Sequence, residues 1–337
     1  MELTYHTTFP IDLRDEWNAL LDESVSHVPF LRYDYIQTWW EHRGGGEWPQ
    51  AELALVTARQ NGSLIGIAPF FFTPVHDGHP ALMLLGSIEI SDYLDLLVRP
   101  ADLSAFLDQL LPFLCQPGRP AWQTIDLYNL LDSSPTLPAL EAAAKNHSLA
   151  YRQEQLQHSP YIPLPGDWET YLASIDKKQR HEIRRKMRRA ETAEVPARWY
   201  IVTDDDSLDS EIDAFLAMME QDEEKAAFLT PVMRQAMHDI IRCAFEEDCL
   251  LLAFMEVDGQ KAAGYIMFDY LDRVWVYNSG FDRRFMEYSP GWVLLGYLLQ
   301  WAIEHQRIEF DFMRGNEDYK YRFGAVDRFV MRAVLAR

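Results

Sequence analysis

The sequence predicts a mixed α/β (α+β) protein of two tandem units, each a mixed, mostly antiparallel sheet flanked by helices. Three observations predict it. Apolar runs flank Asn61-Gly62 and again Asp258-Gly259, a strong signal for a β-hairpin, and each turn is followed by a further glycine, Gly66 and Gly264. After each hairpin, strands, a helix and a further strand recur in the same order. At 337 residues, 48% hydrophobic and 13% aromatic, the chain has the length and apolar content for two buried cores.

The elements follow in order. Residues 12–42 read as two helices, the first marked by Trp17, Leu20 and Leu21, the second by Tyr35, Ile36, Trp39 and Trp40. The glycine run from Gly44 to Gly46 stops the second, and Trp39-Trp40 reads as helix core. Strands are expected at Leu53–Ala58, Leu64–Phe72, Ala81–Leu85, Tyr93–Val98 and Thr124–Leu130, with helices at about 101–114 and 135–146. Pro163, Pro165 and Gly166 look like a boundary, and the division adopted is 1–157 and 158–337. Asp167 caps a short helix through Leu172, and Lys177 to Glu194 forms a longer one with an apolar stripe of Ile183, Met187 and Ala190, stopped by Pro196. A strand at Arg198–Val202, helices at about 207–224 and 231–246, and strands at Leu250–Val257, Ala262–Tyr270 and Arg273–Gly280 come next. A helix at about 290–305 and strands at Ile308–Phe312 and Phe329–Leu335 complete the chain.

Composition narrows the function. The start, MELTYHTTFP, has no basic and apolar leader pattern, and no run reaches the roughly 18 apolar residues of a membrane span, so the chain reads as cytoplasmic. Three cysteines (Cys115, Cys243, Cys249) without C-x-x-C spacing suit a reducing compartment and argue against structural zinc. His76 and His79 flank the turn at Asp77-Gly78 and the other histidines are scattered, so no metal is expected. The net charge of −21 argues against general nucleic-acid binding. One segment runs the other way: Lys177 to Arg189 holds eight Lys/Arg against one Glu, a local +7. It can pair with the acidic helix at 207–224 or line a groove for an anionic acceptor; Arg180, Arg184 and Arg188, at i, i+4 and i+8, share the face that would do so. G-x-x-x-x-G-K, G-x-G-x-x-G, G-x-S-x-G and H-E-x-x-H are absent from the sequence.

Two stretches carry the chemistry. Ile308 to Gly324 reads as a short buried strand opening into a loop crowded with Asp311, Arg314, Glu317, Asp318, Tyr319, Lys320, Tyr321 and Arg322, where α/β folds place their sites. In this loop Arg314, Lys320 and Tyr321 suit substrate binding. Just upstream, Ser289 and Pro290 suit the cap and first position of an apolar helix, with Gly291 leaving backbone open. A buried helix N-terminus of this kind can seat a phosphate, with Arg284 adding charge and Tyr288 and Trp292 flanking it.

Strand, loop, helix N-terminus, helix and strand in this order resemble the acyl-CoA site of the Gcn5-related N-acetyltransferase (GNAT) superfamily. The chain looks most like its tandem branch, the Fem-type transferases and the CelD-like acetyltransferases of cellulose biosynthesis. The resemblance covers nearly the whole chain and rests on Trp39-Trp40, Gly66 to Pro69, Ser91-Asp92-Tyr93, Arg180 to Arg189, Gly280 to Asp282, Tyr288 to Gly291 and Asp311 to Gly324. Asp311 to Gly315 and Tyr319 to Gly324 are its most specific pieces.

The resemblance implies acyl transfer from acetyl-CoA or another acyl-CoA. The pantetheine arm would add to two splayed strands, here Arg273–Gly280 and Ile308–Phe312. Asp311 or Glu317 would act as base and Tyr319 or Tyr321 as acid, unless Asp311 instead holds Arg314. Asp92 and Tyr93 join Arg180 and Arg184 as candidate acceptor contacts. This chain has one glycine, Gly291, where the superfamily's phosphate loop has several, and no such loop follows Val98 in the first unit, so one donor site is expected, in the second. The expected acceptor is an amine on a sugar or small metabolite, in polysaccharide or cell-envelope synthesis. Two alternatives stand beside it: a Fem-like transferase drawing an aminoacyl group from transfer RNA, and a non-catalytic accessory of polysaccharide synthesis.

Overall fold

Tight turns with paired positive φ angles frame both halves of the chain. In the computed structural model, which describes every residue except Ala193, Asn61 and Gly62 (φ 52° and 84°) and Asp258 and Gly259 (53° and 70°) close the two expected hairpins. Asp77-Gly78 closes a third, and Leu271-Asp272 a fourth that lacks glycine altogether. The chain divides into two units, Met1–Gln157 with Phe329–Arg337, and His158–Arg328.

The first unit contains β1 (Glu2–His6), α1 (Arg14–Asp22), α2 (Tyr33–Glu41), β2 (Glu52–Leu53), β3 (Leu55–Gln60), β4 (Ser63–Ala68), β5 (Phe70–His76), β6 (His79–Leu84), β7 (Leu97–Val98), α3 (Leu103–Phe113), β8 (Thr124–Leu131), α4 (Thr136–Asn146) and β9 (Ala150–His158). One sheet has the order β1-β3-β4-β7. The strand expected at Leu64–Phe72 is two strands in different sheets, broken at Pro69, whose missing N–H cannot extend a ladder. The strand expected at Tyr93–Val98 is reduced to Leu97–Val98, because the residues before it form a buried loop.

The second unit contains β10 (Tyr161–Pro163), α5 (Trp168–Ser174), α6 (Lys177–Glu191), β11 (Ala197–Ile201), α7 (Asp205–Met219), α8 (Glu223–Phe228), α9 (Pro231–Glu246), β12 (Leu250–Val257), β13 (Gln260–Tyr270), β14 (Arg273–Phe281), α10 (Pro290–Glu304), β15 (Glu309–Asp311) and α11 (Asp318–Arg322). Its sheet runs β10-β15-β14-β13-β12-β11, antiparallel throughout except for the parallel pair β14-β15. The side chains of Asp167, Asp176 and Thr230 cap α5, α6 and α9 as their residue types predict. Val293, Leu294, Leu298 and Leu299 of α10 are fully buried against the sheet, and Ile183 and Met187 of α6 join the same core. The glycine at 296 lets Met187 approach, its sulfur lying 3.0 Å from where a Cβ would stand.

The last strand, β16 (Phe329–Ala336), corrects the division at 158–337. It pairs antiparallel with β8, from Val330↔Leu131 to Ala336↔Thr124, and so belongs to the first unit's second sheet, β2-β5-β6-β8-β16-β9. A charge holds it there: buried Arg332 donates from Nε to Asp126 (2.8 Å) and from Nη2 to Asp126 and Asp77 (2.5 Å each). His76, Asp77 and Asp126 have the grouping of metal ligands, and Arg332 already supplies a cation to both carboxylates. Among the described residues no helix is long and apolar enough to cross a membrane.

Candidate active site

The site starts where β14 and β15 part. They pair only from Arg273↔Glu309 to Trp275↔Asp311, after which β14 continues alone through Phe281 with β13 on one side. β15 turns away because its last residue is tied elsewhere. The fully buried Asp311 carboxylate pairs with Arg328 and accepts the Met313 N–H at 2.7 Å, which fixes Met313 at φ 54°. Gly315 follows at φ 111°, and the Lys320 ammonium, 2% exposed, binds this loop from inside, donating to the carbonyls of Arg314 (2.9 Å), Gly315 (3.1 Å) and Met313 (3.4 Å) and pairing with Glu317 (2.9 Å). The register of β13-β14 slips between Ile266 and Met267, leaving Tyr277 as an extra, bulged residue.

Beside the free edge lies a cavity of about 280 Å³, lined by Tyr265, Ser279, Phe281, Met286, Ser289 to Trp292, Leu295, Tyr319 and Lys186. Burial raises the phenol pKa of Tyr319 and of Tyr265 far above the ordinary range, and the Glu317 charge pushes Tyr319 the same way, so both stay protonated at neutral pH. Tyr265 donates to the Gly291 carbonyl at 3.4 Å. From α6, Lys186 places its ammonium 4.6 Å from the centre of the Trp292 ring, while Trp292 packs on Phe323 with centroids 4.6 Å apart.

Of the residues expected at the donor end, Ser289, Pro290, Gly291 and Trp292 line the cavity; Tyr288 packs against the core beneath it. Ser289 takes φ 52° and its side chain makes no capping bond. Gly291 serves a different need from the one expected of it. A Cβ there would sit 2.2 Å from the Phe281 ring, so the missing side chain makes room for an aromatic ring rather than for exposed backbone. Arg284 is turned outward and held by Asp282 in a forked pair, with Nη2 2.6 Å from Oδ2.

Of the residues expected to do the chemistry, Tyr319 alone reaches the cavity wall. Asp311 pairs with Arg328 and is fully buried under the loop. Lys320 is spent on three carbonyls, which accounts for its being lodged inside rather than offered to a ligand. Glu317 does not line the cavity; it pairs with Lys320, its side chain 57% exposed. Tyr321 donates to Asp327 at 2.7 Å, and burial together with that carboxylate pushes its phenol up to about 12. Arg314 lies half-buried on the same loop. In the first unit, Asp92 and Tyr93 are buried, 9% and 0% exposed.

The basic helix α6 also departs from expectation. Arg180 donates to the Leu172 carbonyl at 3.2 Å and Arg184 pairs with Glu169, so two of the three arginines of the chosen face turn to α5 while Arg188 stays exposed. The acidic helix α7 does not need α6 either, since Asp205 and Asp209 pair with Arg242 of α9 (3.2 and 2.6 Å). Lys186 brings α6 to the cavity instead, midway between Arg184 and Arg188 of the i, i+4 series. Its place beside buried Met187 was the available signal. Tyr265 and Ser279 were missed because nothing in a strand marks which residue faces a gap.

By sequence, residues 177–321 match the acetyltransferase (GNAT) domain family. Compared by sequence with curated proteins, the chain has no significant match. By structure it is similar to FemX (TM-score 0.65, 12% identity, 98% of this chain and 97% of that one). A conserved protein of unknown function from Bacteroides thetaiotaomicron is equally close (0.64, 13%, 100% of both chains), and L-PGS from Bacillus licheniformis follows (0.57, 12%, 95% and 90%). These likenesses establish the fold, and the matched domain contains the parted strands, the cavity and the loop closed by Lys320. Residues 177–321 thus carry the signature of a GNAT acetyltransferase domain, and the fold of the chain is similar to that of FemX.

Proposed function

We propose that the second unit is an N-acyltransferase that takes an acyl group from acetyl-CoA or another acyl-CoA and passes it to an amine of a sugar or small metabolite. The observation that carries this reading is the unpaired edge of β14 beside the cavity that Tyr319 lines. A pantetheine arm is a chain of amides and can add to such an edge as a further strand. Lys186 and the N-terminus of α10 then supply to the donor's phosphates the positive field that a loop of several glycines supplies through backbone N–H groups.

In the transfer, the amine nitrogen attacks the thioester carbonyl, the C–S bond breaks, and the departing sulfur takes a proton. Tyr319, a protonated phenol in the cavity wall, gives that proton. Glu317, exposed and acting electrostatically on Tyr319, receives the amine's proton through solvent. The reaction suits polysaccharide or cell-envelope synthesis, with the donor drawn from the cytoplasm.

A second reading, transfer from aminoacyl-tRNA, draws on the exposed cations that α6 keeps, Lys177, Lys178, Arg188 and Arg189 among them. Equilibrium binding of labelled acetyl-CoA and of aminoacyl-tRNA at low and high salt separates the two. Acetyl-CoA binding that survives high salt supports the first. Salt-sensitive tRNA binding with no acetyl-CoA binding replaces it with the second, and binding of neither leaves the accessory role.

A further inference from the structure

The unpaired edge of β14 is not left bare. An extended residue sends its N–H and C=O to the same side of the strand, and Ser279 directs both to side chains instead of to β13. The Asn278 Oδ1 accepts the Ser279 N–H at 2.9 Å, and the Lys225 ammonium donates to the Ser279 carbonyl at 2.5 Å and to the same Asn278 Oδ1 at 2.8 Å. Two side chains thus do for one residue what a neighbouring strand does for a ladder.

Local geometry brings Lys225 there. Gly264 and Gly280 are register partners on β13 and β14 and leave a flat place on the sheet. A Cβ on Gly280 would fall 2.9 Å from Met218 Cβ and 3.0 Å from the Met219 nitrogen, so the end of α7 lies directly on the strand. Asp222 then caps α8 by accepting the N–H groups of Glu224 and Lys225, which starts the short helix that carries the lysine. Ser279 stands in a thin wall: with Phe281 and Met286 it lines both the donor cavity and a second recess of about 360 Å³, which Lys225, Gln221, Asp222 and Arg283 also line.

A partly buried ammonium costs desolvation energy that ion pairing usually offsets. Here the acceptors are two neutral oxygens, and among the described residues no carboxylate forms an ion pair with Lys225. Burial lowers its pKa, against the more distant charges of Asp222 and Glu317.

We propose that Lys225 is a positioning residue for the acyl donor, holding the Ser279 segment of β14 straight through its carbonyl and through Asn278, so that the strand edge presents one fixed geometry to the incoming chain. The proposal rests on the acyl-CoA reading above. Its test combines amide hydrogen exchange of the free protein with acetyl-CoA binding, in wild type, Lys225→Met, Lys225→Arg and Asn278→Ala. Lys225→Met should speed exchange across Tyr277–Gly280 without a matching change in β12, and weaken acetyl-CoA binding about tenfold, the usual scale for losing a hydrogen bond from a charged group. Lys225→Arg should recover most of both effects. Asn278→Ala, which leaves α8 untouched, should reproduce the local exchange change even if Lys225→Met folds poorly. Unchanged exchange in the variants, or acetyl-CoA bound as tightly as by wild type or more tightly, overturns the proposal and leaves the acyl-CoA reading standing. A wild-type protein that binds no acetyl-CoA overturns the reading itself, and the proposal with it.

Discussion

Each unit has a pair of parallel strands that part, and the two units treat the gap in opposite ways. In the first, β6 and β8 pair from Ala81↔Thr124 to Met83↔Asp126, and the chain then fills the space beyond with its own segment 85–96. The Leu94 N–H reaches the Asn129 carbonyl at 2.9 Å, and the Asn129 amide donates to the carbonyls of Ile88 (3.0 Å) and Ser91 (2.7 Å). Trp48 adds a bond to the Ser87 carbonyl at 2.7 Å, and Asp95 beneath accepts from Ser134 and Thr136, both at 2.6 Å. In the second unit the same gap holds a cavity, and its edge is met by Lys225 and Asn278. The same arrangement of parted strands is thus filled in one unit and left open in the other, depending on whether the following loop turns inward or is tied back as Asp311 and Lys320 tie it.

The largest effect is expected from loosening that tie. Lys320→Met removes the ammonium from three carbonyls and from Glu317, and should lower the stability of the second unit by about 3 kcal/mol in urea unfolding, the upper scale for orphaning buried polar groups. At a temperature where the variant stays folded, turnover should still fall at least about tenfold, because Tyr319 loses its support. Asn129→Ala in the first unit should cost comparable stability and leave turnover alone. Equal losses of turnover in both variants would erase the distinction between site and plug.

Tyr319→Phe comes next. It keeps the ring and deletes the proton donor, so kcat should fall about hundredfold with the donor KM little changed, at the low end for general acid catalysis. A KM effect alone would make Tyr319 a binder.

The smallest of the three concerns pH and the plug. Glu47 accepts the Ile88 N–H at 3.3 Å, and burial pushes its carboxyl up to about 7; burial likewise raises Asp95 to about 6. Both folded values lie above the unfolded ones. Their stabilising contribution is therefore complete below about pH 4 and lost as pH rises through 6 and 7. Glu47→Gln should remove its part of that loss, raising stability at pH 8 by about 2 kcal/mol while changing little at pH 4. An unaltered pH profile would mean that Glu47 is not part of what seals the first unit.

Much of this frame was legible from sequence. Asn61-Gly62 and Asp258-Gly259 announce hairpins because the φ angles they need are ones few other residues take, and the helix caps at Asp167, Asp176 and Thr230 are similarly local. What sequence reasoning missed is long-range. The strand β16 reads equally well in either unit until Arg332 is seen to meet Asp126, 206 residues away. Short strands such as β10, with three residues, carry too little periodicity to register. In the site, Asp311 and Lys320 stood out as ionisable groups in a loop, but charge alone does not say whether a side chain faces a ligand or its own backbone. Lys186 and Lys225 carry no motif, and only the packing at Gly280 and Gly296 directs them to one place.

The central claim is that the open gap in the second unit is the donor site and the closed gap in the first is not. Titration calorimetry with acetyl-CoA, followed by hydrogen exchange of the complex, tests both halves. The account predicts one molecule bound per chain, with protection confined to Val276–Phe281 and the start of α10. Two molecules per chain, or protection across 85–96 and β8, would contradict it.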